Sequence, residues 1–232
     1  MSRASNTRSR MPQTVAEAAI RTLRHDVGDL LQTVYAAVAI LQQKLPEDWD
    51  LERRILSDLR ARGEGCRLIL DLAHDLICPL TLDREEMDVA ELFAQQVSSV
   101  ASRYPRLKVD QKVESTQSVC ADPVRVAQVA RLLLTDMCDA AATTVHARLQ
   151  PVTENAGIEW SLTCDGPVPA AESLAQYFAL GVPGYRGPSS LGRLLARRLV
   201  ELHHGRVTAR RAGETGFTVA VVLPATPEGK EM

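Results

Sequence analysis

Two long amphipathic patterns, each ended by a proline, constrain the fold of this chain more than any other feature. The first covers residues 14–45, begins with the capping box TVAE and repeats apolar residues at helical spacing until Pro46. The second covers residues 51–76 and ends before Pro79. Because only a short turn, PEDWD, separates them, the patterns predict an antiparallel helical hairpin in residues 14–80. The apolar positions of the first helix are Ile20, Leu23, Val27, Leu30, Val34, Val38, Leu41 and Leu45.

Apolar side chains are left over on both helices, because two helices bury only one seam between them. The leftover residues are Leu31, Ile40, Leu56, Leu68 and Leu72. A second copy of the hairpin would cover them in a dimeric four-helix bundle. The alternative is that the following domain folds back over the hairpin. Of the two arrangements, we expect the homodimer.

Residues 88–225 mix helix and strand patterns, in contrast to the hairpin. A polar linker, TLDREEMD, leads into them, and strand patterns such as LKVDQKV and FTVAVVL alternate with helical ones. His203 and His204 stand before Gly205, the expected stop of the last helix. Helices mixed with antiparallel strands predict an α+β layer fold for this second domain.

The first 13 residues contain arginines and serines but no acidic residue and no apolar face. This composition predicts that residues 1–13 form a disordered tail rather than a transit peptide. The longest apolar run, from Val34 to Leu41, has eight residues, whereas a membrane-spanning helix needs about 20. We therefore expect a cytoplasmic protein with no membrane partner.

Charge and cysteine content argue against two further classes of function. The formal net charge of -2 gives no global attraction to nucleic acid, so we expect no nucleic-acid partner. The five cysteines and five histidines are dispersed, whereas zinc sites group their ligands at short spacings. We therefore predict no structural metal site, and free thiols that are typical of a reducing compartment.

His25 lies beside Asp26 on what the helical pattern predicts to be the polar side of the first helix. At about 100° per residue it is roughly 200° from Leu23, so its imidazole should be exposed and nucleophilic. Asp26 could accept the proton of one ring nitrogen and leave the other basic. A solvated surface histidine without a task is the other interpretation. Gly28, in mid-helix, costs about 1 kcal/mol and could allow a close approach or a bend.

The order of the segments resembles the core of two-component histidine kinases. LRHDVGDLLQTVYAAVAIL is similar to the H-box, and ADPVRVAQVARLLLTDMCDAA to the helix that bears the N-box. CDGPVP and SLGRLLARRLVELHHGRV stand where the two glycine boxes belong, and GFTVAVVLP looks like the closing strand. The resemblance covers residues 20–224. It implies a dimeric hairpin that carries a phosphohistidine, followed by a Bergerat-type α/β sandwich.

The resemblance implies roles for three residues of the first helix. His25 would accept the phosphoryl group, and Asp26 would be its acid/base partner. Asp29 stands where the family often has an amide or hydroxyl that positions water for dephosphorylation. Because an aspartate departs from that pattern, the resemblance gives no support for phosphatase activity.

This sequence lacks several of the residues that form the nucleotide site in the family. Leu132 and Asp136 take the places of two asparagines, and only Asp136 could hold Mg²⁺. Cys164 takes the place of the adenine-reading aspartate, although a shift of one residue would let Asp165 serve. The loop GVPGYRGPSS is short for a lid over a triphosphate. If ATP binds, the resemblance assigns its site to Asp136, Asp165, Gly166 and Gly192. The departures that predict a degenerate site without a cofactor are Leu132, Cys164, Val168 and Ser190.

The chain thus most resembles the kinase-derived dimeric histidine phosphotransferases, which pair a histidine bundle with a degenerate ATPase-like domain. That resemblance implies a phosphorelay in which His25 moves a phosphoryl group between the aspartates of response-regulator receiver domains. The receiver would supply Mg²⁺, and a hybrid histidine kinase would act upstream. One alternative is a soluble ATP-dependent histidine autokinase that uses Mg-ATP. A second is a noncatalytic module that binds a signalling partner and in which His25 is incidental.

Overall fold

The computed structural model describes residues 14–46, 48–114, 118–152, 157–179 and 189–225. The chain divides into two compact units, Met1–Pro79 and Leu80–Met232. The predicted tail at residues 1–13 lies outside the described residues. None of the described helices is long and apolar enough to cross a membrane.

The first unit is the predicted helical hairpin, made of α1 (Val15–Lys44) and α2 (Asp50–Ile77). Thr14 caps α1, because its Oγ1 accepts a hydrogen bond from the backbone N–H of Glu17 at 3.2 Å. At the other end, the Arg53 guanidinium donates to the carbonyl oxygen of Leu45 at 2.7 Å. Arg53 thereby satisfies a carbonyl that the end of α1 leaves without a helical partner.

The apolar positions of α1 divide between two faces. Ile20 and Val38 are buried, whereas Leu23, Leu30 and Leu41 are each about half exposed. At about 100° per residue, these three leucines lie within about 20° of one another and about 60° from the buried pair. The predicted single seam is therefore two adjacent stripes, of which one faces α2 and one faces solvent.

The predicted leftover residues also divide. Ile40 and Leu68 are exposed, and Leu31 and Leu56 are partly buried. Leu72 is buried with 3 % of its surface accessible, so the prediction that it needs another partner was wrong. Gly63 accounts for part of the close packing between the helices. A Cβ there would lie 2.8 Å from a ring carbon of Tyr35, so only a glycine leaves enough space for that ring.

The described residues of the second unit form a two-stranded and a five-stranded sheet, three longer helices and one short helix. The chain order is β1 (Glu85–Asp88), α3 (Val89–Ala101), β2 (Lys108–Val113), β3 (Ser118–Ala121), α4 (Pro123–Ala140), β4 (Thr144–Val152), β5 (Gly157–Cys164), α5 (Ala171–Ala175), α6 (Ser189–Leu202), β6 (Arg206–Arg211) and β7 (Phe217–Leu223). β1 pairs with β3. The larger sheet has the order β2-β4-β5-β7-β6, in which only β2 and β4 are parallel.

The core of this unit lies between the larger sheet and its helices. Phe93 of α3 stacks on Trp160 of β5 with ring centroids 5.7 Å apart, and both are buried. Along α4, Leu133, Leu134 and Met137 are almost fully buried. This layered arrangement confirms the predicted α+β fold. The structure differs from the sequence prediction in the linker, where residues 85–88 form β1.

The end of α6 differs from the prediction by one residue. His204, rather than Gly205, has the left-handed conformation that ends the helix, with φ of 60°. Gly205 is required for another reason, because a Cβ there would overlap the carbonyl oxygen of Val222 on β7. The predicted stop therefore combines a left-handed histidine with a glycine at a close approach.

His203 is a buried and fully satisfied histidine. Its Nε2 accepts a hydrogen bond from the backbone N–H of Asp122 at 3.0 Å, and its Nδ1 lies 2.7 Å from the carbonyl oxygen of Leu199. Only the neutral ring protonated at Nδ1 satisfies both contacts. Burial lowers the pKa of His203 from its ordinary value.

We expect this histidine to make the second unit less stable in mild acid. The unfolded chain binds the His203 proton below about pH 6.5 and the folded chain does so only at lower pH. The free energy of unfolding should therefore fall as pH drops below about 6.5, by up to about 1.4 kcal/mol per pH unit, until the lowered pKa is reached. Urea unfolding between pH 5 and 8 measures this slope. His203→Gln should flatten it, whereas His204→Gln, at an exposed position, should not. Equal slopes in wild type and His203→Gln would contradict the assignment.

Candidate functional site

His25 projects from α1 into solvent, and 73 % of its side-chain surface is exposed. Its Nδ1 lies 3.3 Å from Oδ1 of Asp26 and 3.5 Å from Oδ2 of Asp29. Adjacency in the sequence predicts Asp26 as a partner of the ring. The spacing of four residues places Asp29 on the same helix face as His25, and the structure adds that its carboxylate lies at the ring nitrogen.

Two carboxylates on the same ring nitrogen determine which tautomer is favoured. They stabilise a proton on Nδ1, and this leaves the lone pair of the neutral ring on Nε2. No residue in the described part of the chain makes a hydrogen bond to Nε2. The arrangement therefore presents a nucleophilic nitrogen to solvent, with acceptors ready to stabilise the charge that develops on the ring.

A groove of about 340 Å³ lies beside His25, between α1 and α2. Arg24 of α1 and Asp71 of α2 both line it, and Nε of Arg24 lies 2.7 Å from Oδ1 of Asp71. Gly28 and Arg67 also line the groove. We call it the basic groove, and we define it by Arg21, Arg24, His25, Gly28, Arg67 and Asp71.

In the second unit, the predicted magnesium ligand is engaged by other side chains. Asp136 of α4 is buried, and the Tyr177 hydroxyl donates a hydrogen bond to its Oδ2. Arg193 of α6 is also buried, with its guanidinium carbon 4.5 Å from the centroid of the Tyr177 ring. Sequence reasoning did not find Tyr177, which belongs to none of the quoted motifs. We call these three side chains the Asp136 cluster.

Asp165 forms hydrogen bonds with the backbone at the start of β4. Its carboxylate accepts hydrogen bonds at 3.0 Å from the backbone N–H groups of Ala142, Thr143 and Thr144, and another from the Thr143 hydroxyl. These donors hold the pKa of the Asp165 carboxyl well below its usual range. The carboxylate that a one-residue shift would assign to adenine thus already has a set of donors within the protein.

The two predicted glycines lie at close packing positions. A Cβ on Gly166 would overlap the carbonyl oxygen of Ala140 at the end of α4, and one on Gly192 would lie 3.2 Å from Cδ2 of Leu132. Cys164 is buried, and burial raises the pKa of its thiol. Both glycines therefore have structural reasons that do not require a nucleotide. The predicted lid loop lies outside the described residues, apart from residues 189 and 190. The described residues contain no group of three or more histidine, cysteine or acidic side chains arranged to hold a metal ion.

No protein-family model and no curated protein matches the chain. Solved structures do match it. The crystal structure of full-length ShkA in complex with AMPPNP has a TM-score of 0.77, with 18 % identity over 94 % of this chain and 48 % of ShkA. The chain has the fold of a histidine kinase core. It spans about half the length of ShkA.

Two other histidine kinases give the same result. The Acinetobacter baumannii histidine kinase AdeS has a TM-score of 0.60 and 13 % identity, over 86 % of this chain and 95 % of that protein. The mycobacterial sensor histidine kinase MprB has a TM-score of 0.55 and 20 % identity, over 62 % of this chain and 99 % of that one. At such identities the likeness to the histidine kinase fold establishes architecture alone.

Proposed function

We propose that the chain acts in two-component signalling as a histidine phosphotransferase. In this proposal His25 carries a phosphoryl group between the aspartates of two response-regulator receiver domains, and a hybrid histidine kinase is the upstream source. The exposed imidazole supports the proposal, because Asp26 and Asp29 both lie at its Nδ1 and leave Nε2 open. The receiver would supply Mg²⁺ for the reaction.

The transfer needs no co-reactant beyond the two partners. The Nε2 lone pair of His25 attacks phosphorus in the aspartyl phosphate, a nitrogen–phosphorus bond forms, and the bond from phosphorus to the aspartyl oxygen breaks. The aspartate leaves as a carboxylate with the electron pair. Nδ1 keeps its proton, and the positive ring is stabilised by Asp26 and Asp29. Attack by a second receiver aspartate reverses these steps and frees the histidine.

The Asp136 cluster is the observation that favours phosphotransfer over autophosphorylation. Of Leu132 and Asp136, which take the places of the two N-box asparagines, only Asp136 has a side chain that can bind a metal ion. Tyr177 donates a hydrogen bond to Asp136, and the Arg193 guanidinium lies on the Tyr177 ring in the interior. A magnesium ion there would have to displace these contacts. Breaking up a buried charged cluster costs several kcal/mol. Binding of Mg-ATP in this pocket is therefore disfavoured, because it would first have to disrupt the Asp136 cluster.

The ATP-dependent autokinase remains the second candidate. It is favoured by the histidine kinase fold, of which one solved example, ShkA, is a complex with AMPPNP. Gly166 and Gly192 would serve it at the phosphates. The third candidate is the noncatalytic binding module, which predicts that activity is independent of His25.

The hairpin also supports a homodimer. Twelve of the fourteen large apolar side chains that are exposed in the described residues belong to the first unit. Leu23, Leu30 and Leu41 form one stripe of them on α1. A second copy would bury such stripes in a four-helix bundle.

A labelling experiment separates the candidate functions. We expect no acid-labile label when the purified chain is incubated with labelled Mg-ATP, and rapid label at His25 when it is incubated with a labelled, phosphorylated receiver. The reason is that the Asp136 cluster obstructs the nucleotide site, whereas Nε2 of His25 is open. Calorimetry should find no micromolar affinity for Mg-ATP. Labelling of His25 from ATP alone would contradict the phosphotransferase and establish the autokinase.

A further inference from the structure

The basic groove holds a cation that the hairpin does not use. Arg24 is paired with Asp71, and Asp29 is turned toward His25. Arg67 lines the same groove and has no ion pair or hydrogen bond among the described residues. A guanidinium offers several donors in a planar fork, which suits the oxygens of a phosphoryl group.

Gly28 lines the wall of this groove. A Cβ built on it meets nothing within 4 Å, so the packing of the hairpin does not require a glycine there. This differs from Gly63, where a Cβ would collide with Tyr35. A glycine inside a helix makes the helix less stable than an alanine would. Gly28 thus destabilises α1 at a position that lines the groove and is three residues from His25.

The basic groove faces away from the apolar stripe of α1. At about 100° per residue, Gly28 and His25 lie about 140° and 200° from Leu23. A second hairpin that covers Leu23, Leu30 and Leu41 would therefore leave the groove open. The groove is available to a partner other than the second copy.

We propose that Arg67 and Gly28 are positioning residues of the basic groove, which hold the phosphorylated aspartate of a receiver domain against His25. Arg67 pairs with the phosphoryl oxygens beside Nε2 of His25, and Gly28 admits the backbone of the receiver loop. The proposal rests on the phosphotransferase function and names the residues that position its donor. Charge complementarity selects this occupant, since an aspartyl phosphate is an anion that must come within bonding distance of His25.

Two phosphoryl donors test the groove separately from the function. The first is phosphoramidate, a small donor that phosphorylates histidine directly. The second is a panel of receiver domains phosphorylated with acetyl phosphate, from which the fastest donor to wild type is selected. The amount of phosphohistidine at His25 is measured against time and donor concentration. Urea unfolding of each variant checks that the hairpin is intact.

For Arg67→Ala we expect the half-saturating concentration of the phosphorylated receiver to rise about three- to tenfold, with a smaller change in the maximal rate. The half-saturating concentration of phosphoramidate should rise as well. Arg67→Lys should restore part of both losses. Arg54→Ala removes another exposed arginine of α2 and should change neither. If Arg67→Ala behaves like Arg54→Ala with both donors, the groove proposal is wrong.

For Gly28→Ala we expect a more stable hairpin and slower transfer from the receiver, with phosphoramidate unaffected because it is small. The matched control is Gly65→Ala, since a Cβ there also meets nothing within 4 Å and Gly65 does not line the groove. Equal rates for the two glycine variants would overturn the role of Gly28. If phosphoramidate labels His25 but no receiver does, the phosphotransferase function fails, and the Arg67 comparison with phosphoramidate still decides whether the groove binds a phosphoryl group.

Discussion

Replacing His25 with alanine should abolish phosphotransfer while leaving the structure intact. The variant loses the only nitrogen that the site presents as a nucleophile, so the acid-labile label from a phosphorylated receiver should fall to background. Because 73 % of the side chain is exposed, the free energy of unfolding should change by less than about 0.5 kcal/mol. Label transfer and urea unfolding measure the two quantities on the same sample.

The two carboxylates at Nδ1 refine this test. Asp26→Asn should slow transfer without abolishing it, since the Asp29 carboxylate still lies 3.5 Å from Nδ1 and stabilises positive charge on the ring. The double variant, Asp26→Asn with Asp29→Asn, should lose more than the single one, up to the roughly 10² to 10⁴ that acid–base assistance contributes. Glu64→Gln, also on an exposed carboxylate of the hairpin, is the control. Undiminished label in His25→Ala, located at His74 of α2, the other histidine of the hairpin, would overturn the assignment of the phosphoacceptor.

The elements with strong local signals were predictable from the sequence. The capping box at Thr14 and the prolines at 46 and 79 delimit the hairpin, and the structure places α1 and α2 there. β2 and β7 coincide with the strand patterns LKVDQKV and FTVAVVL. These signals depend only on residues close together in the sequence, so the predictions made from them do not require knowledge of the tertiary contacts.

Features that depend on distant partners were not predictable. β1 lies in a segment with one apolar residue, Met87, and exists because it pairs with β3, whose partner residues are 30 to 36 positions away in the sequence. The division of the α1 pattern into a buried and an exposed stripe depends on where α2 packs. Leu72 illustrates this, since its pattern gave no sign that it would be buried.

The candidate site shows the same contrast. His25 and Asp26 are adjacent in sequence, and their exposure follows from the helical period. Tyr177, in contrast, lies 41 residues from Asp136, with which it shares a hydrogen bond. Arg193 belongs to the segment SLGRLLARRLVELHHGRV, whereas the aromatic ring on which it lies comes from a different segment. Clusters that join separate segments in this way need the fold before they can be seen.

Placing a charge on the exposed stripe of α1 should dissociate the proposed homodimer. Leu30→Asp replaces a leucine that is 62 % exposed in the single chain but would be buried against the second copy. The variant loses the burial of a leucine and places a carboxylate in an apolar interface, and twofold symmetry doubles both effects. We expect the dissociation constant to rise at least about a hundredfold. Sedimentation velocity at micromolar concentration should show a dimer for wild type and a monomer for the variant.

Gln43→Asp adds the same charge at an exposed position of α1, roughly 160° around the helix from Leu41, and should remain dimeric. A wild-type monomer at micromolar concentration would contradict the bundle. The monomeric Leu30→Asp variant also shows where the phosphoryl site is built. Because His25, its two carboxylates and the basic groove all belong to one hairpin, the monomer should still accept a phosphoryl group at a rate near that of the dimer. Loss of transfer together with the dimer would mean that a residue of the second copy completes the site.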